Sequence, residues 1–200
     1  MTLQMYGRLL KENYNLVKND ADCRSAIIHL STEHTKGSFQ VASIDDMFKV
    51  KRVAKIAKHI LNDDLHALDG VLKDLYGLQH AALEYSSVLN KTSVLRTKTR
   101  LQRDTGNIAE LIFLQTKDET WAQESWDHCM AAGAQSEDSQ PEYAANCYLD
   151  ACRAVNKMKD SAEQRYVAGK RAFEIADTAG TSANGLHEMR MAAWSMQGIA

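Results

Sequence analysis

An all-α protein is predicted from three observations. The 200-residue chain contains one proline and ten glycines, so helix breakers are scarce. Apolar residues recur at spacings of three and four along most of its length, the period of an amphipathic helix. The segments that interrupt this rhythm are short, and short turns between helices make antiparallel neighbours. An apolar share of 44% and a charged share of 25% are ordinary for a globular chain with a sizeable core. The expected architecture is a multi-helix bundle of about eight or nine helices, with stacked antiparallel helical hairpins in the C-terminal part.

The first stripe, over 2–18, is Leu3, Tyr6, Leu10, Tyr14 and Val17. A second helix over 20–31 places Cys23, Ala26, Ile27 and Leu30 inward, and 32–42 loses periodicity and reads as the longest loop. Ser43 with Asp46 three residues on resembles a capping box for a helix over 44–61. A long helix follows over 64–89, with Leu65, Leu68, Leu72, Leu75 and Leu83 as its stripe. Gly70 and Gly77 lie inside it, and each suggests close packing or a local bend.

Residues 93–103 form a basic stretch. A turn is expected at 105–107, before a short apolar helix over 108–117. Asp118 caps a helix from 119, which ends around Gly133 and the polar run 135–140. Pro141 opens a helix to about 159, because its missing N–H costs nothing at a first helical position. Asp160 with Glu163 starts the next, which ends at Gly180, and a last helix from 181 carries Met189, Ala192, Ala193 and Met196. The expected division is a bundle over 1–116 centred on the 64–89 helix and a hairpin region over 117–200, which can also form one continuous domain.

Net charge is −2, so no global field draws the protein onto nucleic acid or membrane. The balance is uneven: 1–116 holds 16 Lys/Arg against 13 Asp/Glu, and 117–200 holds 8 against 13. Four cysteines occur without a CxxC pair or Cys/His knuckle, which fits small buried residues in a reducing compartment. The N-terminus lacks the pattern of a signal peptide, and no window approaches a membrane span. A cytoplasmic, soluble protein with no membrane partner is expected.

Within 116–180 a small–aromatic–small pattern occurs twice. Ala122, Trp126, Cys129 and Ala132 are echoed forty residues later by Ala162, Tyr166, Gly169 and Ala172. Small residues one turn either side of an aromatic let a knob from one helix enter a neighbour's hollow. Ala145 and Tyr148, followed by Ala162, Tyr166 and Gly169, resemble the signature of tetratricopeptide-type helical-hairpin repeats over 119–199. The second helix starts about five residues late, and Glu174 stands where that family has its terminal proline. The resemblance implies binding of a protein or peptide in a helical groove, not catalysis.

Four constellations carry candidate chemistry. Trp121, Trp126, Tyr148 and Tyr166 are candidate partner anchors, since aromatic rings supply contact area at low entropic cost. Lys51, Arg52, Lys55 and Lys58, with Arg96, Lys98, Arg100 and Arg103, are candidate anion-binding faces over 49–58 and 96–103. The bland alternative is that these cations are solvated or paired with acids of the C-terminal half. His59, Asp63 and His66 fall at i, i+4 and i+7 if the helix continues unbroken through 62–64, His80 and Glu84 add an i, i+4 pair, and the five are candidate metal ligands in a bundle. His128 could meet Cys147 or Cys152 across a hairpin as a thiol nucleophile.

No nucleotide-binding, serine-hydrolase or zinc-protease motif is present, and no cofactor is expected. The leading expectation is a non-enzymatic interaction or adaptor protein. The alternatives are a nucleic-acid-associated helical protein and a bundle metal-binding protein or enzyme. The apolar chain end over 189–199 leaves a homo-oligomer open.

Overall fold

The computed structural model describes residues 50–51, 54–55, 57–58, 61, 63–88, 92–179, 185 and 189, with side chains at 82, 85–88 and 92–97 excepted. All regular structure among these residues is helical. Five helices are bounded in full: α1 Leu65–Val88, α2 Thr92–Thr116, α3 Glu119–Ser136, α4 Pro141–Val155 and α5 Ala162–Thr178. Helical turns also occupy the described positions between 50 and 58. The helices expected over 2–18 and 20–31, the 32–42 loop and most of the last helix lie outside the described residues.

Two expected boundaries are corrected. The turn at 105–107 does not form, and α2 runs through it as one 25-residue helix. The polar side chains there bond back into the helix instead. Thr105 Oγ1 donates to the Leu101 carbonyl at 2.8 Å, and Asn107 Nδ2 donates to the Arg103 carbonyl at 2.8 Å. The helix from Pro141 ends at Val155 rather than 159, and its terminal carbonyls are met by Asn156 N and Met158 N. Asp160 is not the cap of α5. It sits at φ 55 in the left-handed region, and Ser161 holds the cap position.

Other ends follow the sequence. Asp118 caps α3, accepting from Thr120 N at 3.0 Å and Thr120 Oγ1 at 2.7 Å. Such a cap contributes about 1 kcal/mol. α2 stops because Lys117 turns left-handed at φ 62, where its N–H still reaches the Phe113 carbonyl.

Each bounded helix packs mainly on its neighbours in sequence: α1 on α2, α2 on α3, α3 on α4, α4 on α5. The core changes character along this array. The first cluster is aliphatic: Val50, Leu61, Leu68, Leu72, Leu75, Leu101, Ile108 and Ile112, with Trp121 packed against it. The later clusters are richer in small residues, with Leu149 and Ile175 among them. One joins Cys129, Ala151, Cys152 and Ala168; another joins Ala144, Ala145, Tyr148, Ala172 and Ala176. Small side chains let helix backbones approach closely.

Of the two readings of Gly70 and Gly77, close packing is corrected. A Cβ at Gly70 or Gly77 would meet nothing within 4 Å, so neither marks close packing. The close approaches among the described glycines fall at Gly106, Gly133 and Gly185. A Cβ at Gly106 would lie 2.8 Å from Cys129 Sγ and 3.0 Å from the Ser125 carbonyl oxygen; at Gly133 it would lie 2.8 Å from the Tyr148 ring.

Candidate interaction surfaces

The aromatic anchors separate. Tyr148 is a core residue, 3% exposed, with its ring on Gly133 and its hydroxyl donating to Glu137. It is therefore corrected from partner anchor to packing residue. Arg171 also grips Glu137, so the Tyr148 ring is held from α3, α4 and α5 together. Trp121 is half-buried, edge-on to Tyr76 with centroids 4.9 Å apart, and rests on the aliphatic core. Trp126 is half-buried against the Cys129 cluster, and its indole Nε1 has no hydrogen-bond partner. Tyr166 is half-buried, and next to it Val167 is an exposed apolar residue of α5.

The histidine and carboxylate set does not converge. His59 lies outside the described residues. Asp63 and His66 are exposed, and His66 and His80 stand fourteen residues apart on α1, about 21 Å along its axis at the helical rise. One ion cannot bridge that span. His80 and Glu84 approach at 3.7 Å, with the His80 ring 5.8 Å from the Tyr76 and His128 rings, and no group of three or more potential metal ligands forms among the described residues. The metal-centre expectation is therefore corrected for these positions.

A different polar cluster joins α1, α2 and α3 around His128. Gln102 Nε2 lies 3.0 Å from His128 Nδ1, and Tyr76 Oη lies 3.3 Å from His128 Nε2. Tyr76 Oη in turn donates to Glu124 Oε2 at 2.9 Å. With the Gln102 amide donating, the ring carries its proton on Nε2 and donates to Tyr76. A neutral imidazole thus completes a chain across three helices. Burial is the main cause that pulls the His128 pKa below its usual 6.5; the Glu124 charge opposes it, the His80 ring assists, and Asp127 opposes.

This chain gives a pH dependence of definite sign. Because the folded pKa lies below the unfolded one, the unfolded state takes up the proton first. The His128 contribution is complete above pH 6.5 and declines as pH falls from there through the lowered folded value. Urea midpoints should therefore decrease between pH 7.5 and 5.5, and His128→Leu should flatten that part of the profile. An equal slope in the variant would show that other groups carry it.

The nucleophile reading is corrected by the same contacts. Both ring nitrogens of His128 are engaged by Gln102 and Tyr76, so they do not activate a thiol. Burial raises the Cys147 pKa to about 12 and raises the Cys129 pKa well above its usual value. Both stay protonated at neutral pH.

The basic faces are partly neutralised. Lys51 Nζ meets Asp104 at 3.0 Å, and Arg103 Nε meets Asp150 at 2.6 Å while its guanidinium lies 5.1 Å from the Tyr143 ring centroid. Asp150 also takes Arg153 at 3.0 Å. Lys55, Lys98 and Arg100 lie on α2 and the preceding helical turns with exposed or half-exposed side chains. Arg52 and the Arg96 side chain lie outside the described residues. Sequence reasoning passed over Arg153, one of eight Lys/Arg residues in the acidic half, and Glu110. The signal for Glu110 was available: it is a lone acid inside the apolar run 108–114.

Glu110 is half-buried on α2, and burial raises its carboxyl pKa, with the Asp150 charge adding to that; the Arg153, Lys55 and Lys58 charges act in the other direction. No helix among the described residues is long and apolar enough to cross a membrane. No protein-family model matches this chain, and comparison with curated proteins and with solved structures finds no match.

Proposed function

We propose that this protein is a non-enzymatic interaction scaffold that presents surfaces of a stacked helical array to a protein partner. The observation that carries the reading is the packing order: each bounded helix rests on its sequence neighbours, and α4 meets α2 almost solely through long side chains. Such a quasi-one-dimensional array leaves extended faces and grooves open along its length. Successive antiparallel helices with small residues at their contacts are also what the likeness to tetratricopeptide-type repeats would imply. In this reading the stacked hairpins over 117–200, the total of eight or nine helices and a soluble cytoplasmic setting belong to one interaction module.

Trp126 and Tyr166 are the anchors on the array's C-terminal face, with Val167 beside Tyr166. Photo-crosslinking residues placed at 166 and 167 should capture one protein in stoichiometric yield, and the purified pair should form a defined complex. Tyr166→Ala should weaken that complex by about tenfold or more, the effect of losing an interface aromatic. Capture only of abundant unrelated proteins, or a complex indifferent to Tyr166, would remove the reading. The nucleic-acid alternative is disfavoured because Lys51 and Arg103, two of its cations, are already matched by carboxylates.

A further inference from the structure

α1 and α3 each pack on α2 and meet one another chiefly through side chains. Those side chains form one seam. Tyr76 of α1 lies edge-on to Trp121 of α3, its hydroxyl donates to Glu124, and it reaches His128. One turn further along α1, the His80 ring stands 5.8 Å from the His128 ring. Residue numbers rise together on the two helices, so α1 and α3 run parallel. The seam positions, 76 and 80 on α1 and 121, 124 and 128 on α3, recur at helical spacing, so each helix offers one continuous face to the other.

Each imidazole also has a carboxylate on its own helix. Glu84 Oε1 lies 3.7 Å from His80 Nδ1, four residues on, and Glu124 Oε2 lies 3.6 Å from His128 Nε2, four residues back. Neutral rings leave Glu124 to the Tyr76 hydroxyl, and the seam stays joined. Imidazoles change charge in the mildly acid range. A proton on each ring sets two cations side by side and gives each a counter-charge along its own helix. Links across the seam are then exchanged for pairs along α1 and α3. His128 has no room to retreat, because a Cβ at Gly106 of α2 would lie only 3.1 Å from the His128 Cβ. The displacement therefore falls on α1. The charged groups facing His128 are His80 of α1 and Glu124 and Asp127 of α3, while α2 presents the uncharged Gln102. His80 faces Tyr76 and Glu84 of α1 and His128 of α3.

We propose that His80 and His128 form a proton-operated latch, which holds α1 to α3 at neutral pH and releases the Tyr76–His80 turn from α3 when both rings are charged. The latch goes beyond the scaffold reading and is independent of it, since it needs no partner. It also goes beyond the global pH dependence of His128. A lower overall stability spreads over every helix, whereas the latch makes the α1–α3 seam yield first. Opening uncovers the edge of Trp121 that Tyr76 now covers, an aromatic surface offered only in acid.

The test is amide hydrogen exchange of the full chain, read by mass spectrometry at pH 7.5 and 5.5 and corrected for the intrinsic pH dependence of exchange. Between the two, protection over 76–84 should fall about tenfold more than protection over α4. His80→Asn removes one of the two charges at a half-exposed position, and should reduce that difference to about twofold or less. Glu124→Gln keeps an acceptor for the Tyr76 hydroxyl and removes the counter-charge of His128, so the seam should open only at a lower pH. Packing alone at Glu124 would not move the pH of opening. Tyr76→Phe removes the hydroxyl link and should raise exchange over 76–84 already at pH 7.5. A pH response in His80→Asn equal to that of the parent overturns the proposal. So does a fall of equal size in all five helices, or no fall over 76–84 in the parent.

Discussion

Gly106→Val is expected to lower unfolding free energy by about 3 kcal/mol, at the upper end of the usual cost of overpacking a tight core. The reason lies at the α2–α3 crossing. A Cβ at 106 would press on Cys129 Sγ at 2.8 Å, on the Ser125 carbonyl oxygen at 3.0 Å and on His128 Cβ at 3.1 Å. Cys129 is buried and Ser125 contributes backbone, so neither retreats like a flexible chain end. Relief requires α3 to move off α2, and that motion also stretches the Gln102–His128 contact. Gly77→Ala is the paired control. Nothing lies within 4 Å of its Cβ, so the substitution should stabilise α1 by about 1 kcal/mol through helix propensity. Urea denaturation of the two variants beside the parent reads both signs. Equal and small effects would show that the α2–α3 contact is looser than described.

Asp150→Ala is expected to cost about 3 kcal/mol, the usual range for breaking a largely buried ion pair. The carboxylate is 9% exposed at its side chain and holds Arg103 of α2 and Arg153 one turn along α4. Removing it leaves the Arg103 guanidinium, 22% exposed, against the Tyr143 ring and Cys147 without its counter-charge. The double variant Asp150→Leu with Arg103→Met should recover much of the loss, because apolar replacement of both partners removes the stranded charge. A double-mutant cycle on denaturant midpoints measures this coupling. If Arg103→Met alone costs as much as Asp150→Ala and the double variant sums both, the pair acts through packing rather than charge.

Much of the helical order was legible. The stripe of Leu68, Leu72 and Leu75 predicts α1, and all three are buried. Asp118 and Pro141 mark helix starts because capping and proline chemistry act within a few residues. The 105–107 turn was misread for the same local reason. Thr-Gly-Asn is turn chemistry in isolation, yet Thr105 and Asn107 bond within the helix, and the glycine is needed where α3 crosses. Tyr148 was misread because an aromatic's spacing does not tell whether a glycine on the next helix opens a pocket for its ring.

By itself, the sequence determined the helical class, the main stripes and several caps, since these depend on neighbours three or four positions away along one chain segment. Only the tertiary structure decided which residues share a site. Arg103 and Asp150 pair at 2.6 Å across 47 positions of the chain, and His128 finds its partners on two other helices. Burial and pairing of charge depend on how whole helices are placed, and periodicity within one helix carries no record of the neighbour it will meet.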